Sequence, residues 1–198
     1  AMDKPILGMI NGVAAGAGTL MVVGNFISCI EEQCYMLRIE QLAWDHGMTL
    51  KDASAYNIQF VDGRPCLIDT LSFRRYEAGA PWAPYRQFCE HFLAPLALLS
   101  FGDSRLSLAR VFLNGVPLDL TTRLLPWRCR LRFGLLLHLY GHAAAMRKER
   151  VGSLPPSTGS TSHFLSEASL RGLTEGLQAT IEGLPRPAPG SVWSNYYA

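Results

Sequence analysis

The sequence has neither an excess of charge nor a paired-cysteine motif. Charged residues make up 17% of its 198 residues, and the formal net charge is only +2, so composition does not require a nucleic-acid partner. Five cysteines occur without Cys-x-x-Cys spacing, which argues against a zinc site or a redox pair. An odd number of cysteines favours a reducing compartment, so we expect a cytoplasmic protein with buried thiols.

Hydrophobic residues make up 48% of the chain, which suffices for a buried core and argues against global disorder. The length favours one medium-sized domain. Basic side chains are concentrated in residues 123–150, where Glu149 is the single acidic residue. Such a segment could bind phosphate, RNA or an anionic membrane. Because few aromatic residues are interleaved with it, we interpret it as a solvated helix face and expect neither nucleic acid nor a membrane as a partner.

Two aspartates and an asparagine frame a predicted β-hairpin. Asp52 precedes Asn57, residues 57–68 alternate apolar and polar side chains around an Asp-Gly pair, and Asp69 follows. Asp-Gly between two alternating segments is a strong signal for a tight hairpin. A hairpin brings the ends of its strands together, so we expect Asn57 and Asp69 to lie near each other.

This layout resembles the catalytic segment of protein kinases and small-molecule kinases. The resemblance implies that Asn57 and Asp69 hold the magnesium of Mg-ATP, and that Asp52 is the catalytic carboxylate near an attacking hydroxyl. Only 51 residues precede Asp52, and they contain no glycine-rich phosphate loop followed by a lysine-bearing strand. We therefore expect a kinase-like scaffold without phosphotransferase activity. In the alternative interpretation, Asp52 and Asn57 only satisfy backbone groups of a turn.

Longer matches, in which rare residue types recur in the same order, connect the chain with a second family. The matching runs are Gly-Met-Thr-Leu-Lys-Asp-Ala-Ser-Ala-Tyr-Asn at 47–57, Ile-Asp-Thr-Leu-Ser-Phe at 68–73, Pro-Trp at 81–82, Tyr-Arg-Gln-Phe-Cys at 85–89, Phe-Leu-Ala-Pro-Leu at 92–96, Gly-Val-Pro-Leu-Asp-Leu at 115–120 and Leu-Leu-Pro-Trp at 124–127. On these runs, residues from about 34 to 198 resemble a bacterial family of class I S-adenosylmethionine-dependent methyltransferases, some of them nodulation-related.

This second resemblance implies that the region precedes the methyltransferase domain, which we expect to follow Tyr197. Residues 164–198 contain neither the glycine-rich turn nor the acidic residue that hold S-adenosylmethionine in such a domain. S-adenosylmethionine would therefore bind only through that further domain. The implied partners are a methyltransferase domain or subunit and a small-molecule methyl acceptor.

The first part of the chain resembles a different family. Residues 4–20 read Lys-Pro-Ile-Leu-Gly-Met-Ile-Asn-Gly-Val-Ala-Ala-Gly-Ala-Gly-Thr-Leu, and on this run residues 4–28 resemble the crotonase (enoyl-CoA hydratase) family. The resemblance implies a helix start at which the Ala17 N–H polarises the thioester carbonyl of an acyl-CoA. An uncharged membrane span over residues 5–30 is the alternative. Because the segment would lack its parent sheet, we expect self-association through residues 1–30.

We predict an α+β, mainly helical fold with a protein-kinase-like C-lobe and a small β-hairpin. Helical periodicity and stop signals predict helices over residues 31–46, 85–100, 104–113, 124–150 and 165–184, with a kink at Pro95. The predicted parts are a crotonase-like segment (1–30), a kinase-like helical domain (31–150), a linker (151–164), a helix (165–184) and a linker toward the methyltransferase domain (185–198). His138 and His142 lack a third ligand nearby, so we interpret them as structural.

The function expected from the sequence is that of a kinase-like accessory segment of a methyltransferase-family protein, which binds Mg-nucleotide or the methyl acceptor. Two alternatives stay open. One is a non-catalytic binding or scaffold module, whose groove near Asp52 and residues 82–88 recognises a substrate. The other is a fragment of an acyl-CoA enzyme. Magnesium-dependent ATP binding would favour the first function over both alternatives.

Overall fold

A computed structural model describes residues 26–102, 112–151 and 166–186. Within these ranges the fold is α+β and mainly helical, as predicted. The helices are α1 (Phe26–Asp45), α2 (Tyr85–Phe88), α3 (Ala94–Phe101), α4 (Leu118–Leu124), α5 (Phe133–Leu135), α6 (His142–Val151) and α7 (Glu167–Glu182). The strands are β1 (Met48–Leu50), β2 (Ile58–Val61), β3 (Arg64–Leu67) and β4 (Phe73–Arg75). Residues 4–25 of the crotonase-like match and residues 104–111 of a predicted helix lie outside the described residues.

Helix α1 ends where the sequence signals a stop. Gly47 follows it with φ 68°, a left-handed conformation that glycine adopts without strain. The Gly47 N–H donates to Trp44 O over 3.0 Å, which closes the last turn. Met36 and Leu37, both fully buried, lie on the side of α1 that faces the core. The short turn after α1 therefore leads directly into β1.

Strands β2 and β3 form the predicted hairpin. They pair antiparallel, with Ile58 opposite Leu67. Asp62 and Gly63 at the turn have φ 49° and 76°, the two left-handed conformations of a type I′ turn. The Asp-Gly signal thus predicts both the existence and the position of this turn correctly.

Strands β1 and β4 pair antiparallel on either side of the hairpin. Leu50 lies opposite Phe73, and the Lys51 N–H donates to Ser72 O over 2.7 Å just beyond this pair. As a result, residues 51–72 form a loop whose two ends are held together by backbone hydrogen bonds. We call residues 51–72 the closed loop.

The helix predicted over residues 85–100 is not uniform. A π-helical turn, Cys89–Leu93, joins α2 to α3, and in it the Ala94 N–H donates to Cys89 O. The irregular turn lies before the predicted kink at Pro95. Pro95 stands in the first turn of α3, where its missing N–H is tolerated.

The continuous helix predicted over residues 124–150 is divided into shorter pieces. Leu125 is extended before Pro126, and a 3₁₀-helix, Trp127–Leu131, follows. A residue that precedes proline is disfavoured in the helical conformation, which explains the break. Downstream, α5 leads into a second π-helical turn, Leu136–Gly141, and then into α6. Helix α4 has no counterpart in the sequence prediction.

Helix α7 packs against α1. Its first turn is capped by Ser166, whose side chain accepts a backbone N–H. Leu170 and Leu177 are buried in the core, and Gln41 Nε2 of α1 donates to Thr174 Oγ1 over 3.0 Å. Side chains of α7 therefore share one hydrophobic core with α1 and with the helices that follow the closed loop.

Candidate functional site

A serine hydroxyl joins the two predicted metal ligands. Asn57 immediately precedes β2, and Asp69 follows β3. Asn57 Nδ2 donates to Ser72 Oγ over 2.9 Å, and Ser72 Oγ donates to Asp69 Oδ2 over 2.7 Å. The structure thus brings Asn57 and Asp69 to opposite sides of one hydroxyl group, at the base of the hairpin.

The amide group of Asn57 is oriented by two acceptors. Nδ2 lies 3.4 Å from the backbone oxygen of Asp52, in addition to its bond with Ser72. Both Nδ2 hydrogens are therefore directed at oxygen atoms. Within the described part of the chain, Asn57 Oδ1 accepts no hydrogen bond. This oxygen is the atom of the side chain that can serve a cation.

The carboxylates of Asp52 and Asp69 each bind a backbone N–H of the turn that follows. Asp52 Oδ1 accepts from the Ser54 N–H, and Asp69 Oδ1 accepts from the Leu71 N–H, both over 2.9 Å. These bonds are the turn-forming role that the sequence leaves open. A carboxylate has about four lone-pair positions, so each aspartate keeps acceptor capacity. Both side chains are partly exposed and can bind a ligand while they close their turns.

Two helices hold the closed loop from the core side. Gln87 accepts the Ala53 N–H through Oε1 over 2.8 Å. Glu40 of α1 accepts the Leu50 N–H over 2.8 Å and the Thr49 hydroxyl. Burial raises the pKa of Glu40 to about 7, although the bonds from Thr49 and Leu50 oppose this shift. The backbone on both sides of Asp52 is therefore anchored to helix side chains, the buried Glu40 on one side and the half-buried Gln87 on the other.

His91, whose ring contacts that of Tyr56, is not identified as a site residue from the sequence. His91 belongs to the π-helical turn Cys89–Leu93, and its ring meets that of Tyr56 edge-on, with 5.9 Å between centroids. Burial lowers the pKa of His91, and the negative charge of Asp52 opposes this effect. The imidazole is therefore mostly neutral at neutral pH. His91 reaches Asp52 only because the helix after β4 packs beneath the closed loop.

The oxygen atoms of Asn57 and Asp69 are of the kind that magnesium takes as ligands in proteins. The described residues contain no group of three or more His, Cys, Asp or Glu side chains that could hold a metal ion. Magnesium is usually held by one or two carboxylates, with phosphate oxygens and water completing its shell. Asn57 and Asp69 would supply the protein part of such a shell. Ala17, the residue predicted to contact an acyl-CoA, lies outside the described residues.

A second polar cluster joins α2 to the second π-helical turn. The Tyr85 hydroxyl and His138 Nδ1 are 2.8 Å apart, and the Tyr85 ring stacks on His142 with 4.8 Å between centroids. Burial, together with a smaller contribution from nearby His142, lowers the pKa of His138 to about 4. The two histidines thus contact the same tyrosine: His138 hydrogen-bonds with the Tyr85 hydroxyl, and His142 stacks on the Tyr85 ring.

The five cysteines are buried thiols, as the sequence predicts. In the ranges that the structure describes, no helix has the length and the apolar character required to cross a bilayer. The alternative of a membrane span over residues 5–30 falls almost entirely outside these ranges.

The chain is similar to one part of a longer curated protein. It is 34% identical over 167 residues to the nodulation protein NoeA of Rhizobium meliloti (strain 1021). The match covers 83% of this chain and 35% of NoeA, so the chain spans about a third of the length of the curated relative it matches. No protein-family model and no solved structure matches the chain.

Proposed function

We propose that this chain is a kinase-like accessory segment of a longer methyltransferase-family protein, and that it binds Mg-ATP at Asn57 and Asp69. Asp52 would face the hydroxyl group of an acceptor molecule. The observation that carries the proposal is the Ser72 hydroxyl, which holds the two candidate metal ligands together. The similarity to the nodulation protein NoeA supports a role related to nodulation.

The hydrogen bonds of the site leave suitable oxygen atoms for magnesium. Asn57 directs its NH₂ group toward Asp52 and Ser72, so Oδ1 is available on the other side of the amide. Asp69 keeps lone pairs on both carboxylate oxygens after its bonds to the turn. In phosphoryl transfer a metal bridges the terminal phosphates, while a separate carboxylate accepts the hydroxyl proton. Asp52 lies at the start of the same closed loop and suits this second role.

The order of elements around the site supports a kinase-like lobe. A long helix leads into β1, the closed loop carries the hairpin, and β4 returns to pair with β1. All three candidate residues therefore belong to one segment that is fixed at both ends. Phosphoryl-transfer sites depend largely on positioning and electrostatics, so a fixed segment is what such a site requires.

Calorimetric titration with ATP, with and without magnesium, tests this function. The variant Asp69→Asn removes one charge, keeps the side-chain shape and leaves an oxygen to accept the Leu71 N–H. Asp62→Asn is the matched control, because it removes the same charge at the exposed hairpin turn, where asparagine tolerates a positive φ. We expect magnesium-dependent binding in the wild type and in Asp62→Asn. Binding by Asp69→Asn should be weaker by about tenfold or more.

Magnesium-independent ATP binding, no ATP binding at all, or equal weakening by both substitutions would contradict the proposed function. S-adenosylmethionine is titrated in parallel. We expect no heat from it, because residues 164–198 lack the glycine-rich turn of a methyl-donor site. A measurable heat would place methyl-donor binding within this chain and would require a different assignment of the site.

A non-catalytic binding module is the second candidate function. The observation that favours it is the use of Asp52 and Asp69 as caps of the following turns. Such a module would bind a methyl acceptor without magnesium, for a methyltransferase domain or subunit to modify. The third candidate, an acyl-CoA enzyme fragment, depends on residues 4–28. Acyl-CoA protection that is lost when Gly16 or Gly18 is changed would favour it.

A further inference from the structure

A groove lies between α7 and the segment that carries α5 and the second π-helical turn. Its volume is about 580 Å³, within the range of small-molecule sites in proteins. Phe133 and Leu137 line one wall, and Leu173 and Leu184 line the other. Phe133 is 78% exposed and Leu137 49% exposed, so the groove presents apolar surface at its mouth.

His138 is a buried polar side chain that faces this groove. It is 1% exposed, and it lines the groove together with Gly176 of α7. A Cβ on Gly176 would lie 3.6 Å from His138 Nε2, an ordinary van der Waals contact, so a longer side chain at this position would lie against the nitrogen. His138 Nδ1 is engaged by Tyr85, whereas Nε2 has no hydrogen-bond partner among the residues described. An imidazole nitrogen that has no protein partner and belongs to a groove-lining side chain can hydrogen-bond with a bound molecule.

The other polar side chains of the groove are already engaged. Arg132 Nη1 donates to Gly183 O over 2.9 Å, and its guanidinium stacks on the Phe101 ring. The Thr180 hydroxyl donates to Gly176 O over 2.7 Å. The low pKa of His138, a result of burial, keeps its imidazole neutral at neutral pH. Ser169, which also lines the groove, shares a hydrogen bond with Ser166. The groove therefore offers an apolar body and, at His138 Nε2, an uncharged nitrogen without a protein partner among the residues described.

We propose that this groove binds a small, neutral, apolar alcohol or phenol, whose hydroxyl group hydrogen-bonds with His138 Nε2. A hydroxyl both donates and accepts, so it satisfies Nε2 in either tautomer of the imidazole. The groove is separate from the closed loop, and its occupation requires no metal ion. The proposal therefore stands or fails independently of ATP binding.

The test compares 2-naphthol with 2-methylnaphthalene, two fluorescent probes of nearly equal shape that differ in the hydroxyl group. Titration of the full chain should give saturable binding of both. We expect 2-naphthol to bind more tightly by up to about tenfold, the contribution of one neutral hydrogen bond. In His138→Phe this preference should disappear, while 2-methylnaphthalene still binds. A preference that persists in His138→Phe would overturn the assignment of Nε2.

A second pair of variants tests the groove without changing the histidine. Gly176→Leu places a side chain in front of Nε2, and its Cβ makes only an ordinary contact there, so we expect the helix to form. Glu175→Leu adds the same side chain at the adjacent exposed position, which does not line the groove. Gly176→Leu should abolish binding of both probes, and Glu175→Leu should retain it. No saturable binding by the wild type, or equal binding by the two variants, would overturn the proposal.

Discussion

Gly115 is the position where one added methyl group would most directly disturb the support of the closed loop. Its φ is 80°, and a Cβ there would lie 2.7 Å from the carbonyl carbon of Glu90 and 2.8 Å from His91 Cδ2. The neighbouring Val116 N–H donates to Glu90 O over 2.8 Å, which holds the two segments together. The variant Gly115→Ala must therefore displace the backbone of the π-helical turn Cys89–Leu93.

The expected loss of stability in Gly115→Ala has two parts. A left-handed conformation costs a residue other than glycine about 1–2 kcal/mol. Overpacking against a backbone that cannot rotate away costs about 1–3 kcal/mol more. We therefore expect a total loss of about 2–5 kcal/mol in the free energy of unfolding. Gly47→Ala is the matched control, because Gly47 also has a positive φ but has no atom within 4 Å of its Cβ position.

Urea-induced unfolding, followed by far-ultraviolet circular dichroism, measures both variants against the wild type. Gly47→Ala should lose only the conformational part. Gly115→Ala should therefore be less stable than Gly47→Ala by about 1–3 kcal/mol. Equal losses in the two variants would refute the close approach of Gly115 to the π-helical turn.

Two further predictions concern buried polar groups around the closed loop. Burial raises the pKa of Glu40 from 4.5 to about 7, so the folded state retains a proton that the unfolded chain releases, and stability falls as the pH rises between these values. In urea titrations across this range, Glu40→Gln should lose about 3 kcal/mol less stability than the wild type, and parallel pH profiles would contradict the assignment. Ser72→Ala leaves Asn57 and Asp69 without their shared partner, and it should lower the free energy of unfolding by about 1–3 kcal/mol. In calorimetry it should also weaken magnesium-dependent ATP binding relative to Asp62→Asn, and unchanged affinity would show that the hydroxyl does not organise the site.

The elements that the sequence predicts well are those with local boundary signals. The hairpin depends on Asp62 and Gly63, and the end of α1 depends on Gly47, each within its own few residues. Helix α4 is different, because it contains an aspartate and two threonines, which are weak helix formers. It forms where Leu118 and Thr121 become buried, which is a tertiary effect.

The same distinction between local signals and tertiary packing applies to the candidate site. The proximity of Asn57 and Asp69 follows from the hairpin and is predictable from sequence. Ser72 joins them only because β4 returns to β1, and His91 approaches Asp52 only because a later helix packs under the closed loop. These contacts cannot be predicted from residue spacing in the sequence, because they depend on how the elements pack.

The two π-helical turns set the rotational phase of the helices that follow them. Such a turn contains one residue more than the α-helix it interrupts, and one residue corresponds to about 100° of rotation. Deleting a residue from Cys89–Leu93 would restore a regular helix, yet it would turn the fully buried Leu96 toward a different side. The same holds for Leu136–Gly141 and the buried Ala143. In these two helices, the number of residues in the π-helical turn therefore determines which side chains downstream are buried. A one-residue deletion there would disturb the core more than most substitutions.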